Sequence, residues 1–237
     1  MTPKKPGNIN ALTARIIERI KNLPWAEKFV LGGGLALAHY LEFRPTNDAD
    51  CWWEENTPET EKEAILEELS EIIKEEAGHM VNDAEISKRN WGETASIEVK
   101  AGNKKIFSWQ ISSRTKKLDA YIPSPYGILK IETLKDNLAS KMCALVARGA
   151  PRDFLDIHTA IKHNLTSWEN CWTLWKAKNP GKEQRLAEQN IAMSLTGIEI
   201  RRPLPSVPEE QRARAAELRS FFRNHLPALK EKEPNQP

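Results

Sequence analysis

Cysteine is scarce in this sequence, and long apolar runs are absent. The three cysteines are Cys51, Cys143 and Cys171. Their odd number and scattered positions match neither a disulfide framework nor a metal site, which favours a reducing compartment. No apolar run approaches the length of a membrane-spanning helix, and no signal peptide precedes Asn10. We therefore expect a cytoplasmic protein with no membrane partner.

The sequence also lacks a strong excess of charge of either sign. Its 35 basic and 33 acidic side chains give a net charge of +2. The strongly basic footprint of many nucleic-acid-binding proteins is therefore absent from the chain as a whole. Arginines are frequent in residues 201–223, but glutamates are interleaved with them, which is typical of a solvated helix face. If the substrate is RNA, these arginines would contact its backbone.

Two aspartates, Asp48 and Asp50, are the most informative feature of the sequence. Residues 46–53 are rich in aromatic side chains and bounded by polar ones, which predicts a short strand. Side chains on a strand alternate between faces, so the two carboxylates point the same way, about 7 Å apart. Mutual repulsion favours a divalent cation between them, and carboxylate oxygens suit Mg²⁺ or Mn²⁺. Taken alone, the Asp48 and Asp50 pair is equally consistent with a solvated edge strand or a loop.

A run of three glycines precedes this strand. Residues 29–31 are apolar and predict a buried strand, Gly32, Gly33 and Gly34 predict a turn, and Leu35 begins a predicted helix. Backbone N–H groups of such a turn approach an anion closely. The spacing is not that of a dinucleotide-binding fingerprint, and no ribose-binding acid follows at the required distance.

The remaining pattern divides the chain into a mixed region and a helical region. Helices are predicted from Asn10 to Pro24 and from about residue 57 to Gly78. Residues 79–131 show the period of two that is typical of strands and predict antiparallel hairpins, with a candidate turn at 102–103. From residue 133 the pattern is helical, with a linker at 203–208 and a last helix ending near residue 225.

One of the later helices has tryptophans at helical spacing. Thr166 and Glu169 predict a capping box at its start. Trp168, Trp172 and Trp175 follow on one side of the helix, and this arrangement is more typical of a core than of a base-stacking platform.

A lysine interrupts the apolar stripe of the helix that Thr133 is expected to cap. Lys141 lies on or beside that stripe, Arg148 continues the same line, and Gly149 is placed to end the helix. A lysine there must extend to the surface, pair with a carboxylate, or bind a substrate. The next helix opens with Asp153 and Asp156 near its N-terminus, where acids also favour the helix dipole without further function.

These motifs, taken in order, resemble the AbiEii/AbiGii-type nucleotidyltransferase toxins of the DNA polymerase β-like superfamily. The first motif consists of Gly33, Gly34, Ala36, Arg44, Thr46, Asp48 and Asp50. The fold class that we predict is α/β (α+β), with a nucleotidyltransferase-like mixed sheet flanked by helices. This domain would span residues 1–131, followed by a helical C-terminal domain in 132–226 and a disordered tail in 227–237.

The resemblance also implies roles for individual residues. Asp119, on a strand next to that of Asp48 and Asp50, would be the third metal ligand and the natural candidate for the base. Catalytic roles would fall to Lys141 and Asp153 as well, although the sequence leaves open which of Asp153 and Asp156 lies in the active site. The residues expected to contact the nucleotide are Gly33, Gly34, Arg44, Thr46, Lys141, Arg148, Arg152 and Asp156. Leu35 departs from the family pattern, because a hydroxyl often follows the paired glycines.

The function implied is metal-dependent transfer of a nucleotide from an NTP to an RNA, such as tRNA, or to a protein. The family further implies a toxin role and a cognate antitoxin. Two alternatives remain, a small-molecule (antibiotic-type) nucleotidyltransferase and a catalytically silent partner module with the same fold.

Overall fold

The computed structural model of the chain describes residues 1–46, 48–114 and 116–230. The chain divides into two compact units, Met1–Asn137 and Leu138–Pro237. The division falls within helix α4 (Leu134–Ala147), whereas the sequence had suggested a domain boundary before residue 132.

The first unit is built around a mixed β-sheet, which confirms the predicted fold class. Its described strands are β1 (Phe29–Gly32), β2 (Asp48–Trp53), β3 (Ala84–Asn90), β4 (Thr94–Ala101), β5 (Lys104–Ser112), β6 (Ile122–Pro123) and β7 (Lys130–Ile131). In the sheet they have the order β3-β4-β5-β2-β1-β7-β6. The predicted hairpins are confirmed for β3, β4 and β5, which pair antiparallel. In addition, β5 pairs parallel with β2, and β7 pairs parallel with β1.

Helices of the first unit cover one face of this sheet. They are α1 (Ala11–Ile20) and α3 (Glu59–Gly78), while the short α2 (Gly33–Ala38) follows the glycine turn. The Asn10 side chain caps α1 as predicted, accepting a hydrogen bond from the Leu12 N–H at 2.8 Å. The alternate side chains of β5 that face these helices, including Phe107 and Trp109, are fully buried. The period of two in the sequence therefore marks the buried face of the sheet.

The second unit is helical, as predicted. After α4 it contains α5 (Pro151–Lys162), α6 (Trp168–Lys178), α7 (Gln184–Arg201), α8 (Glu209–His225) and α9 (Pro227–Lys230). The tryptophans of α6 are buried in its core, where Trp172 meets Trp168 and Trp175 edge to face with ring centroids 5.5 Å apart. The prediction that these side chains form a core is confirmed.

Two local predictions in this unit are wrong. Ser167, not Thr166, caps α6, because its hydroxyl accepts the Asn170 N–H at 3.1 Å. Residues 227–230 belong to α9 rather than to a disordered tail, since Leu226 and Leu229 pack into the helical core. The rest of the predicted tail, residues 231–237, lies outside the described residues.

None of the helices that the structure describes is long and apolar enough to cross a membrane.

Candidate functional site

The glycine turn and Asp50 are in direct contact. Gly32 is the ladder partner of Asp50 where β1 and β2 pair. Gly33 follows with φ +57°, a left-handed conformation, and a Cβ atom at this position would collide with the Asp50 side chain. The Gly34 N–H points at Asp50 Oδ2, 3.4 Å away. The predicted turn is present, and glycine is required in it both for the backbone angle and for the approach of Asp50.

Asp48 lies on the same face of β2 as Asp50. Both aspartates are partly exposed. Ala49, which lies between them, and Cys51, which follows Asp50, are buried. This alternation confirms the predicted strand from Asp48 onward. The Ser108 hydroxyl on β5 donates a hydrogen bond of 2.6 Å to Asp48 Oδ1, so the carboxylate is held in one orientation.

A lysine adds positive charge beside Asp48. Lys105 Nζ lies 3.4 Å from Asp48 Oδ1 and 3.5 Å from the Ser108 hydroxyl. The sequence alone does not reveal this contact, because the proximity of Lys105 to Asp48 depends on the parallel pairing of β2 with β5.

Arg44 and Thr46 border the glycine turn. A Cβ atom on Gly34 would lie 3.4 Å from Arg44 Nη2 and 3.5 Å from Thr46 Oγ1. The Thr46 hydroxyl also donates to the backbone carbonyl of Asp48 at 3.0 Å. The structure therefore brings the predicted residues of the first motif together around Gly34.

Asp119 is not on a strand beside the two aspartates, and this expectation is wrong. It lies in a bend, and its carboxylate accepts hydrogen bonds from Lys135 Nζ at 2.8 Å and the Thr133 hydroxyl at 3.2 Å. The bend is fixed because the Asp136 carboxylate accepts the backbone N–H of Asp119 at 3.1 Å. On the side of β2 away from the glycine turn, the described partners on β5 are Ser108 opposite Asp48 and Gln110 opposite Asp50, and neither is an acid. The nearest acid of that row is Glu98 on β4, which pairs with Ser108.

A buried glutamate that the sequence analysis missed supports the turn from behind. Glu132 is fully buried, and its Oε1 accepts the Gly33 N–H at 3.0 Å and Asn137 Nδ2 at 2.5 Å. Its Oε2 accepts the Trp52 indole N–H at 3.1 Å and forms an ion pair with Arg114 at 2.9 Å. Buried charges persist when they are paired and hydrogen-bonded in this way. Glu132 thus holds the glycine turn against β2.

The same network accounts for the doubled tryptophan after the aspartates. Trp53 points to the buried core against Phe29, with ring centroids 5.1 Å apart. Trp52 points to the other face, where Arg114 lies over its ring at 5.0 Å from the centroid. Arg114 also pairs with Asp136 at 3.1 Å. Burial raises the pKa of Tyr40 to about 12, and the negative charge of Glu132 contributes a smaller part of this increase.

In the second unit the predicted charged residues form two ion pairs with buried acids, one from a buried lysine and one from a half-exposed arginine. Lys141 Nζ lies 2.8 Å from a carboxylate oxygen of the fully buried Asp156. Arg148 binds both oxygens of the fully buried Asp153 at 2.8 Å, and Asp153 also accepts the Ala150 N–H at 3.2 Å at the start of α5. The predicted catalytic roles of Lys141 and Asp153 stay predictions, as do the nucleotide contacts predicted for Lys141, Arg148, Arg152 and Asp156.

A divalent cation fits the donor set of the first unit only in part. Within the described residues, no group of three or more histidine, cysteine, aspartate or glutamate side chains is arranged to hold a metal ion. Asp48 and Asp50 supply two carboxylates on one face. This number suits Mg²⁺, which is commonly held by one or two carboxylates and completed by substrate phosphates and water.

Comparison with known proteins gives one family. The model of the family described as the nucleotidyl transferase AbiEii toxin, type IV toxin–antitoxin system, matches residues 15–235, nearly the whole chain. No curated protein matches the sequence.

Proposed function

The chain belongs to the AbiEii family of nucleotidyl transferase toxins of type IV toxin–antitoxin systems, and from this premise we propose a metal-dependent reaction at Asp48 and Asp50. In the proposed reaction a nucleotide passes from an NTP to the hydroxyl of an RNA or a protein. A cognate antitoxin is the partner that a toxin of this kind implies. The observation that carries the proposal is the contact of the glycine turn with Asp50, which lies two residues along β2 from Asp48 and on the same face.

Asp48 and Asp50 are the residues that would hold Mg²⁺ or Mn²⁺. When bound, such an ion neutralises phosphate charge and favours in-line displacement at phosphorus. Ser108 donates to one oxygen of Asp48 and so limits the directions in which that carboxylate presents its lone pairs. Asp119 receives no step in this scheme, since its carboxylate is bound by Lys135 and Thr133.

The phosphates of the NTP would lie on the glycine side of β2. Gly34 presents its backbone next to the Arg44 guanidinium and the Thr46 hydroxyl. The guanidinium carries N–H donors that suit phosphate oxygens, whereas the hydroxyl would have to exchange its hydrogen bond to the Asp48 carbonyl for one to a phosphate. Lys105 places a further positive charge beside Asp48. In the step itself, the acceptor oxygen bonds to the α-phosphorus, the bond to the bridging oxygen breaks, pyrophosphate leaves, and the hydroxyl proton is released to solvent.

A transfer assay tests this proposal. The protein is incubated with Mg²⁺, each common α-³²P-labelled NTP, and total cellular RNA or protein as the acceptor. We expect label in one of these pools with the wild type and none with Asp48→Asn or Asp50→Asn. Asp83→Asn is the matched control, because Asp83 is exposed and has φ 59°, a conformation that asparagine tolerates.

The alternatives give different results in the same assay. Labelling by both Asp→Asn variants at the wild-type level would contradict the assignment of the site. Absence of label from both pools, with folded protein, would favour the small-molecule transferase or the silent partner module.

A further inference from the structure

Helix α7 carries a stripe of apolar side chains on its exposed face. Leu186, Met193 and Ile200 are 57 %, 73 % and 74 % exposed, respectively. They recur at every seventh position, so they lie almost in line along the helix. On the other side of α7, Ile191 and Leu195 are buried in the helical core. Packing within the chain therefore does not account for the stripe, and exposed apolar patches of this kind mark contacts with another molecule.

A hollow opens beside one end of the stripe. It has a volume of about 540 Å³, and Leu186 lines it together with Val146 of α4 and Trp175 of α6, while polar side chains such as Glu183 also border it. Ile200 projects into solvent near the other end of α7, about 21 Å away along the helix axis. One face of the helix thus offers both a projecting apolar side chain and a recess that could receive one.

Opposite charges stand at the two ends of the same flank of α7. Glu183 is the N-cap residue and Arg201 is the last residue of the helix, and the interval between them is about five full turns. Both side chains are exposed, and within the described residues neither forms an ion pair. The Arg201 Nε donates to the Gly197 carbonyl at 3.1 Å. Arg185 lies about 160° around the helix from Arg201, and so on the other flank.

We propose that this face, defined by Glu183, Leu186, Met193, Ile200 and Arg201 and called here the stripe face, binds the stripe face of a second copy of the chain. The two α7 helices would be antiparallel, with a two-fold axis at Met193. Because Met193 is midway along the stripe, each Leu186 then meets the partner's Ile200, which lies over the hollow. On the flank, each Glu183 lies beside the partner's Arg201.

The charges set the direction of the pair. An antiparallel arrangement brings opposite charges together at both ends and aligns the two helix dipoles favourably. A parallel arrangement would place the two copies of Glu183 at one end and the two copies of Arg201 at the other. It would also leave Ile200 far from the hollow. The symmetric placement of all these features about Met193 favours a second copy over an unrelated protein, because an isologous contact requires a surface that is complementary to itself.

The size of the contact predicts how tightly the two copies associate. The 18 residues of α7 form a helix about 27 Å long, and one helix pair of this length is a small contact compared with a standard interface of about 1,600 Å². The two hollows extend the contact beyond the helix pair. We therefore expect a dimer that dissociates on dilution, with a dissociation constant between about 1 and 100 µM.

Sedimentation equilibrium of the full chain over this range of concentration tests the proposal. We expect the mass of the wild type to rise from that of a monomer toward that of a dimer. Met193→Glu should weaken the association at least about tenfold, because it places two like charges side by side on the axis. Met80→Glu, at an exposed position of the first unit, should associate as the wild type does. A wild type that stays monomeric, or a Met193→Glu variant that associates equally well, would overturn the proposal.

Cysteine cross-linking tests the direction of the pair. In a Cys143→Ser background, whose other two cysteines are buried, mild oxidation should link two copies of Met193→Cys across the axis. Leu186→Cys alone should not form this link, because its two copies would lie about 21 Å apart, whereas a mixture of Leu186→Cys and Ile200→Cys should. Efficient linking of Leu186→Cys to itself would overturn the antiparallel arrangement, as would linking of Met193→Cys no faster than Met80→Cys.

Discussion

A residue without a side chain determines how closely the turn approaches Asp50. Gly33 has φ +57°, and a Cβ atom there would collide with the Asp50 carboxylate. We expect Gly33→Ala to lower the free energy of unfolding by about 1–3 kcal/mol through backbone strain and to abolish transfer by displacing Asp50. Urea unfolding, followed by the transfer assay on the folded variant, measures both effects.

The matched control for this change is Gly92→Ala. Gly92 also has positive φ, +73°, but a Cβ atom added there meets nothing within 4 Å. Gly92→Ala should therefore lower the free energy of unfolding only by the cost of the backbone angle, and it should retain full transfer activity. If Gly33→Ala retained wild-type activity, the close contact with Asp50 would have no role in the reaction.

At the scale of single residues, local patterns were predictable and distant partners were not. Asp48, Asp50 and the glycine turn are specified by neighbours in the sequence, and their arrangement is as expected. Glu132 was missed because its partners Gly33 and Trp52 lie 99 and 80 positions away. Asp119 was placed on a strand because its neighbours alternate, but hydrogen bonds from the backbone to Asp136 fix a bend there instead.

At the scale of elements, the Lys141–Asp156 ion pair joins α4 to α5 within the helical unit. Lys141 is 8 % exposed and Asp156 is fully buried. Removing one partner of a buried pair typically costs about 3–5 kcal/mol, while replacing both by apolar groups is often neutral. We therefore expect Lys141→Met to destabilise the protein strongly, and Lys141→Met/Asp156→Leu to recover most of the loss in urea unfolding.

Lys176→Met, at an exposed position of α6, serves as the control and should leave stability nearly unchanged. The same series examines the other predicted role of Lys141. Unchanged unfolding of Lys141→Met together with weaker NTP binding would contradict the structural account and assign this lysine to phosphate contacts.

Element types were easier to predict than their partners and boundaries. Apolar periodicity identified the hairpins of β3, β4 and β5, because one face of each strand is buried. The periodicity carried no information on the parallel pairing of β5 with β2. This pairing depends on a long connection, since α3, β3 and β4 lie between the two strands in the chain. The cap of α6 was misplaced by one residue, since Thr166 and Ser167 offer the same chemistry and only the backbone geometry selects Ser167.

At the scale of the whole molecule, two buried histidines make stability depend on pH. Burial lowers the pKa of His39 and of His158 below the usual 6.5, although Glu217 opposes the shift at His158. His39 Nδ1 lies 2.7 Å from the Leu35 carbonyl, and within the described residues its buried Nε2 has no hydrogen-bond partner. Protonation would therefore place an unsatisfied charge in the core.

The sign of this effect follows from proton binding. Because the unfolded chain takes up protons near pH 6.5 and the folded chain resists them, the contribution to stability is complete above pH 6.5. It is lost as pH falls from there through the lower pKa of the folded state. We expect the urea midpoint of the wild type to decline below pH 6.5, and to decline less steeply in His39→Asn. In His79→Asn, which changes an exposed histidine, the midpoint should decline as steeply as in the wild type. A wild-type midpoint that stayed flat down to pH 5 would contradict this account.

The order of elements along the whole chain was predictable because it requires no knowledge of contacts. The alternation of apolar and polar side chains in residues 79–131, and the helical periodicity after residue 133, were sufficient to predict a mixed sheet followed by helices. The end of the last helical region was not predictable. Only two apolar residues, Leu226 and Leu229, continue the apolar pattern into the polar tail.

The central claim is that Asp48 and Asp50 form the metal site of a nucleotidyltransferase. Titration of Mn²⁺ into the full chain, followed by electron paramagnetic resonance with a non-hydrolysable NTP present, tests it without knowledge of the acceptor. We predict saturable binding by the wild type and Asp83→Asn, and at least about tenfold weaker binding by Asp48→Asn and Asp50→Asn, because each loses a carboxylate ligand. Equal Mn²⁺ affinity in all four proteins would contradict the claim.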